Sequence, residues 1–115
     1  MSIPRMTEIL DRKCGFTNNV KSSTPVSIST TSATVAAANA KRKHVVIQNQ
    51  GTEAVILRLS SLAASTSDYH AVLSKCLAAR DGLGGSITVD NYQGAITGIC
   101  ESNTSVVSVM EIENE

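Results

Sequence analysis

The feature that most constrains this chain is the period of its apolar residues, which from Lys41 to the end is mostly two. Alternation at that period places successive side chains on opposite faces of a strand, so it builds sheets, not helices. Lys43 to Asn49 is β-branched and ends in Asn49-Gln50-Gly51, a turn signal. Ala54 to Ser60 follows, with Val55, Leu57 and Leu59 on one face and Arg58 on the other; the two runs read as a hairpin. Ser86 to Asp90 alternates cleanly, with Ile87 and Val89 facing in and Ser86, Thr88 and Asp90 facing out. Gly94 to Cys100 and Ser105 to Ile112 are two more strands, joined by Glu101-Ser102-Asn103-Thr104. Short strands at such spacing predict an all-β sandwich of about eight antiparallel strands, of the jelly-roll or immunoglobulin-like kind.

At 115 residues the chain is long enough for one domain, which buries about two-thirds of its unfolded surface. We place that domain at residues 24–115, preceded by an extended or partly helical arm at residues 1–23. Within the arm, Met6, Ile9 and Leu10 share a face at helical spacing, and Thr7 to Lys13 has room for two turns before Gly15. So short a helix is marginal alone in water. The arm is therefore expected to dock on the body, to dock on another chain, or to stay disordered. Residues 21–34 are rich in Ser and Thr and read as a linker passing into an edge strand at Val26, Ile28 and Thr30.

Two stretches conflict with the simple pattern. Tyr69, Val72, Leu73, Cys76, Leu77 and Arg80 fit the helical template, with Asp68 and Gly82 as caps. In the last strand, Val107 and Val109 share a face with Glu111 and Glu113, while Val106, Met110 and Ile112 take the other. With carboxylates marking the solvent side, Val107 and Val109 become outward-facing. Either a bulge swaps the faces, or the arm or another subunit covers the valines.

Charge is balanced overall, ten basic against ten acidic residues, but not along the chain. Residues 1–58 carry eight basic and three acidic residues, 8 − 3 = +5, and residues 59–115 two and seven, 2 − 7 = −5. Either the fold interleaves the halves, or the molecule has a positive arm and a negative end. The basic run Lys41-Arg42-Lys43-His44 is the one feature suited to phosphates. No aromatic residue flanks it for base stacking, since only Phe16, Tyr69 and Tyr92 exist. We expect no specific nucleic-acid binding. No apolar run approaches the roughly 18 residues of a spanning helix, and the first thirty residues lack the order of a signal peptide, so we expect no membrane partner.

Motifs for catalysis are missing: no Gly-x-Ser-x-Gly, no phosphate loop, no His-Glu-x-x-His. Cys14, Cys76 and Cys100 show no metal spacing and read as reduced thiols. A bridge between Cys76 and Cys100 requires neighbouring strands. His44 sits in the basic run at a strand start, facing solvent, and His70 lies beside Asp68 and Tyr69, where a pairing with Cys76 or Cys100 is the remaining catalytic reading. Asp81-Gly82-Leu83-Gly84-Gly85 starts like a phosphate or calcium loop but lacks the lysine of one and the alternating oxygens of the other; its glycines read as turn residues. We expect no cofactor, no metal and no enzymatic activity.

The segment Arg42-Lys43-His44-Val45-Val46-Ile47-Gln48-Asn49-Gln50-Gly51 resembles the opening strand of small all-β virion proteins of tailed bacteriophages, of the head-decoration or head-fibre kind. Tyr69-His70-Ala71-Val72-Leu73, Asp81-Gly82-Leu83-Gly84-Gly85, Tyr92-Gln93-Gly94-Ala95-Ile96 and Val107-Ser108-Val109-Met110-Glu111-Ile112 are similar to their later stretches, so the likeness covers residues 41–113. It implies a β-sandwich without activity, attached to the virion surface, often as an oligomer. It also implies that Tyr69 to Leu77 is a strand leading into a glycine-rich hairpin. On this reading the protein is a decoration (cement) protein on the capsid surface, present in the host cytoplasm during assembly. Its partners are the major capsid protein and further copies of itself in a trimer or dimer. Arg5, Ile9, Leu10, Arg12, Lys13, Val107 and Val109 are the expected capsid or subunit contacts. A tail, baseplate or head–tail connector component is the alternative within the virion, and a carbohydrate-binding or adhesin module the alternative outside it.

Overall fold

A computed structural model describes residues 18–21 and 24–114. Its strands are β1 (Asn18–Lys21), β2 (Val26–Ile28), β3 (Ala33–Ala36), β4 (Arg42–Asn49), β5 (Val55–Arg58), β6 (Ala71–Leu73), β7 (Ser86–Asp90), β8 (Ile96–Cys100) and β9 (Ser105–Asn114). All pairings are antiparallel. One sheet runs β1-β9-β4-β7, with β2 also paired to β9, and the other runs β3-β8-β5-β6. The two sheets pack as a sandwich, and no helix occurs among the described residues.

Alternation decides what lies between the layers. Val45 and Ile47 of β4, Val107 and Val109 of β9 and Ile28 of β2 meet Val55 and Leu57 of β5, Leu73 of β6, and Ile96 and Cys100 of β8. Each aliphatic side chain so buried contributes about 1.5–3 kcal/mol relative to exposure. Strand β9 holds the larger sheet together: it pairs with β4 along one side and with β2 and β1 in succession along the other.

Four expectations change. The runs around Val45 and Val55 form strands but no hairpin, since β4 and β5 lie in different sheets. The Asn49 Oδ1 accepts the Gly51 N–H at 3.1 Å, and the Gln50 N–H bonds to Val106 O at 2.8 Å. The chain thus stays tied to β9 at the turn, then crosses to the other layer. Residues 18–21, counted with the arm, are instead strand β1. The stretch from Tyr69 is a strand only over Ala71–Leu73. The N–H groups of Cys76 and Arg80, which a helix would use internally, bond to Gly51 O and Gln50 O, both at 2.8 Å.

The fourth correction concerns β9, where Val107 and Val109 face the core and Val106, Met110 and Ile112 the outside. No face swap is needed, because Glu111 also points inward and is 6% exposed. A carboxylate on a strand predicts the solvent side, but Glu111 has a buried partner, Arg42 on the neighbouring strand.

Candidate functional site

Strand β4 carries a fully buried polar side chain at each end. Arg42 opens it, beside a register irregularity against β9 between Arg42 and His44, and is 1% exposed. Its Nη1 donates to Tyr92 O at 3.2 Å and Gly94 O at 2.8 Å, its Nη2 to Ala37 O at 2.6 Å, and its Nε to Glu111 Oε2 at 3.4 Å. The Asn39 amide adds donations to Glu111 Oε2 at 2.7 Å and Glu113 Oε2 at 2.6 Å. Burial pushes the Glu111 carboxyl up, but the Asn39 hydrogen bond and the Arg42 guanidinium outweigh it and hold the group below its ordinary range. The two oppositely charged halves of the sequence are therefore interleaved at this point.

Asn49 closes β4 and is fully buried. Its Nδ2 donates to Glu53 O at 2.7 Å, Ser74 O at 3.1 Å and Leu73 O at 3.3 Å, while Oδ1 accepts from Gly51 N–H and from Ser105 Oγ at 2.7 Å. The Cys76 thiol donates to Asn49 O at 3.4 Å. The approach is so close that a Cβ on Gly84 would overlap the Asn49 carbonyl oxygen, and one on Gly51 the Ser105 hydroxyl.

These bonds occupy most of the residues considered for chemistry. Cys76 and Cys100 are free and buried; burial pushes the Cys100 thiol up, and it donates to Ile28 O at 3.5 Å. The His70 Nδ1 accepts the Leu59 N–H at 2.9 Å, which ties down the loop after β5. His44 does face outward, with Nδ1 2.6 Å from Asp90 Oδ1. The Asp81 carboxylate accepts N–H bonds from Leu77, Ala78 and Leu83 at 2.8–2.9 Å. Those bonds, that from Ala78 foremost, hold its carboxyl below the ordinary value and organise the loop before β7. In the loop Gly82 has positive φ (83°), while Gly84 is needed for its close approach to Asn49. Among the described residues no three His, Cys, Asp or Glu side chains group as a metal site.

What remains open is surface. On the outer face of the smaller sheet, Val72 stands opposite Ile56, which stands opposite Ile99. Ala54, Ile56, Thr66, Tyr69, Val72 and Glu101 line a hollow of about 170 Å³ there. Val72 is 54% and Tyr69 46% exposed. The loop that carries Tyr69 is braced by the Arg58–Asp68 ion pair at 3.0 Å, by Thr97 Oγ1 donating to Leu62 O at 2.8 Å, and by the Ala64 N–H on Ser32 Oγ at 2.9 Å. On the outer face of the larger sheet, exposed Met110 stands opposite Val46, and exposed Val20 opposite Ile112. The hollow has an apolar floor, a phenol wall and one carboxylate at its rim, which suits an aliphatic or basic side chain from a partner.

Of the contact residues expected from the sequence, Arg5, Ile9, Leu10, Arg12 and Lys13 lie outside the described residues, as does the helix expected at residues 7–13. Val107 and Val109 are enclosed in the core of their own chain and offer no surface to a partner. Sequence reasoning missed Tyr69, Val72 and Glu101; the signal was the apolar residue at position 72 between two inward ones, Ala71 and Leu73. Comparison with protein-family models, with curated proteins and with solved structures finds no match for this chain.

Proposed function

We propose that this is a non-enzymatic virion protein of a tailed phage, a decoration (cement) protein that binds the capsid surface and reinforces it. Many copies dock at repeated sites on the major capsid protein, and repetition over a shell multiplies a modest contact. The observation that carries the reading is the apolar row Ile99–Ile56–Val72 with its Tyr69-walled hollow, set on a layer whose loops are braced from below. A face on which exposed Val72 and Tyr69 flank the buried Ile56 favours a protein-binding site over a solvated wall. The resemblance of residues 41–113 to head-decoration proteins supplies the class of partner. The arm, with Arg5, Ile9, Leu10, Arg12 and Lys13, is proposed as a second contact with the capsid.

Co-sedimentation with undecorated heads tests this. The intact protein pellets with the heads, Val72→Asp and Tyr69→Ala reduce the bound fraction at least tenfold, and removal of residues 1–17 weakens binding while keeping β1 in place. Failure of the intact protein to pellet removes the head reading, and pelleting with tails or baseplates moves the protein there. Exposed Tyr69 beside Thr66 and Glu101 favours a second reading, a carbohydrate-binding or adhesin module. Binding on a glycan screen, lost in Tyr69→Ala, would select it.

A further inference from the structure

Each sheet of the sandwich ends in edge strands, and their edges are not alike. Strand β3 is short and has a register irregularity between Thr34 and Ala36. Strands β2 and β6 have three residues each, and β1 has four, including Lys21. Short length, irregular register and lysine are the devices that keep an edge from recruiting another strand. Strand β7, Ser86–Asp90, is the least protected: five residues in unbroken register with β4, without lysine, proline or bulge, its one charge the terminal Asp90.

Its outer backbone groups can be assigned from the ladder. The Asn91 N–H bonds to Lys43 O and the Asn49 N–H to Gly85 O, both at 2.9 Å. By antiparallel alternation Val89 with Val45 and Ile87 with Ile47 are then the bonded pairs, so Ser86, Thr88 and Asp90 direct their N–H and C=O groups away from β4. Among the described residues no hydrogen bond to those outward groups occurs. All three residues are exposed, while Ile87 and Val89 are only half-covered at the rim of the core.

We infer that β7 is a self-pairing edge, at which a second copy of this chain adds its own β7 across a two-fold axis through Thr88. The strand is complementary to itself in that register. Thr88 meets Thr88 of the second copy, the hydroxyl of Ser86 meets the carboxylate of Asp90, and no like charges oppose each other. Each outward N–H finds an outward C=O, and Ile87 of one copy covers Val89 of the other on the core side. The pairing is isologous, so it closes at two copies and joins the larger sheets of both into one continuous layer. It leaves the Tyr69–Val72 face of each copy free, and it holds whatever that face binds.

Sedimentation equilibrium of the full chain over a range of concentrations is the test, with Thr88→Lys and Thr88→Pro beside it. Thr88 makes no ladder bond to β4, so circular dichroism and melting of the lysine variant should match the original. The original chain is expected to shift from monomer to dimer with concentration, and both variants to remain monomeric. Hydrogen exchange of the unsubstituted chain gives a second readout: the amides of Ser86, Thr88 and Asp90 slow in proportion to the dimer formed, while those of Ile87 and Val89 are slow throughout. A chain that is monomeric at every concentration, an assembly larger than two, a dimer that survives Thr88→Lys, or protection of those amides that does not change with concentration would each overturn the inference.

Discussion

The two ends of β4 do the same job with opposite chemistry. At its start Arg42 draws together residue 37, the loop at 92–94 and β9; at its finish Asn49 draws together residues 51, 53, 73, 74 and β9. Both side chains are buried and both donate to several backbone carbonyls, most of them in loops. One pin is an ion pair whose strength depends on the state of a carboxyl group, while the other is neutral and indifferent to pH. A sandwich with few aromatics needs something other than large side chains to fix its loops, and buried multidentate donors provide it.

The comparison breaks hardest at Asn49→Asp. The change is nearly isosteric, but it replaces the amide that donates to three carbonyls with a carboxylate facing them. An uncompensated buried charge of this kind costs about 3–5 kcal/mol. The burden lifts on acidification, because the raised folded-state carboxyl value makes the variant's stability fullest below the unfolded value and weaker as pH rises through the folded one. Urea unfolding at a series of pH values should show the variant recovering toward the original protein in acid. A variant equally destabilised at every pH would mean that loop geometry, not charge, sets the cost.

Arg42→Met comes next, at roughly 3 kcal/mol, because it strands Glu111 without its cation and leaves three carbonyls unbonded. The original protein carries the complementary pH signature. Glu111 is held below its ordinary value of 4.5 in the fold, so its contribution is complete above that pH and is lost as pH falls through the lowered value. Glu111→Gln should flatten the acid limb of the stability curve while lowering stability at neutral pH. If the limb keeps its slope, another carboxylate carries the acid sensitivity. At the neutral end, Gly84→Ala presses a methyl group against the Asn49 carbonyl and should cost about 1–3 kcal/mol without any pH dependence.

The same contrast explains what could be read from the sequence. Strands β4, β5, β7, β8 and β9 were legible because each alternates, and β7 was legible down to which residues face in. Which strands pair was not, since Asn49-Gln50-Gly51 is a hairpin signal locally and becomes a crossover only when Asn49 finds partners from residues 53 and 73–74. Strand β3 lay hidden in a Ser/Thr-rich stretch whose composition resembles a linker. The inward face of β9 was hidden for a related reason: Glu111 is polar by type and internal by virtue of a partner 69 positions away. The proposed docking face was not legible because its residues come from β5, β6, β8 and three loops, and no local pattern links them.

The mildest test lies on β4 itself, at His44. It is two residues from Arg42 and also contacts a carboxylate, with its Nδ1 closer to Asp90 than the Arg42 Nε is to Glu111, 2.6 against 3.4 Å. Distance alone would make the His44 pair the stronger. Exposure reverses the order: the His44 and Asp90 side chains are 38% and 60% exposed, while those of Arg42 and Glu111 are 0% and 8% exposed. Water solvates the outer pair whether or not it forms, so the contact replaces interactions that each group already has. His44→Gln should therefore change the unfolding free energy by no more than about 0.5 kcal/mol. A loss comparable to that of Arg42→Met would show that contact distance, not the exclusion of water, ranks the polar interactions of this sandwich.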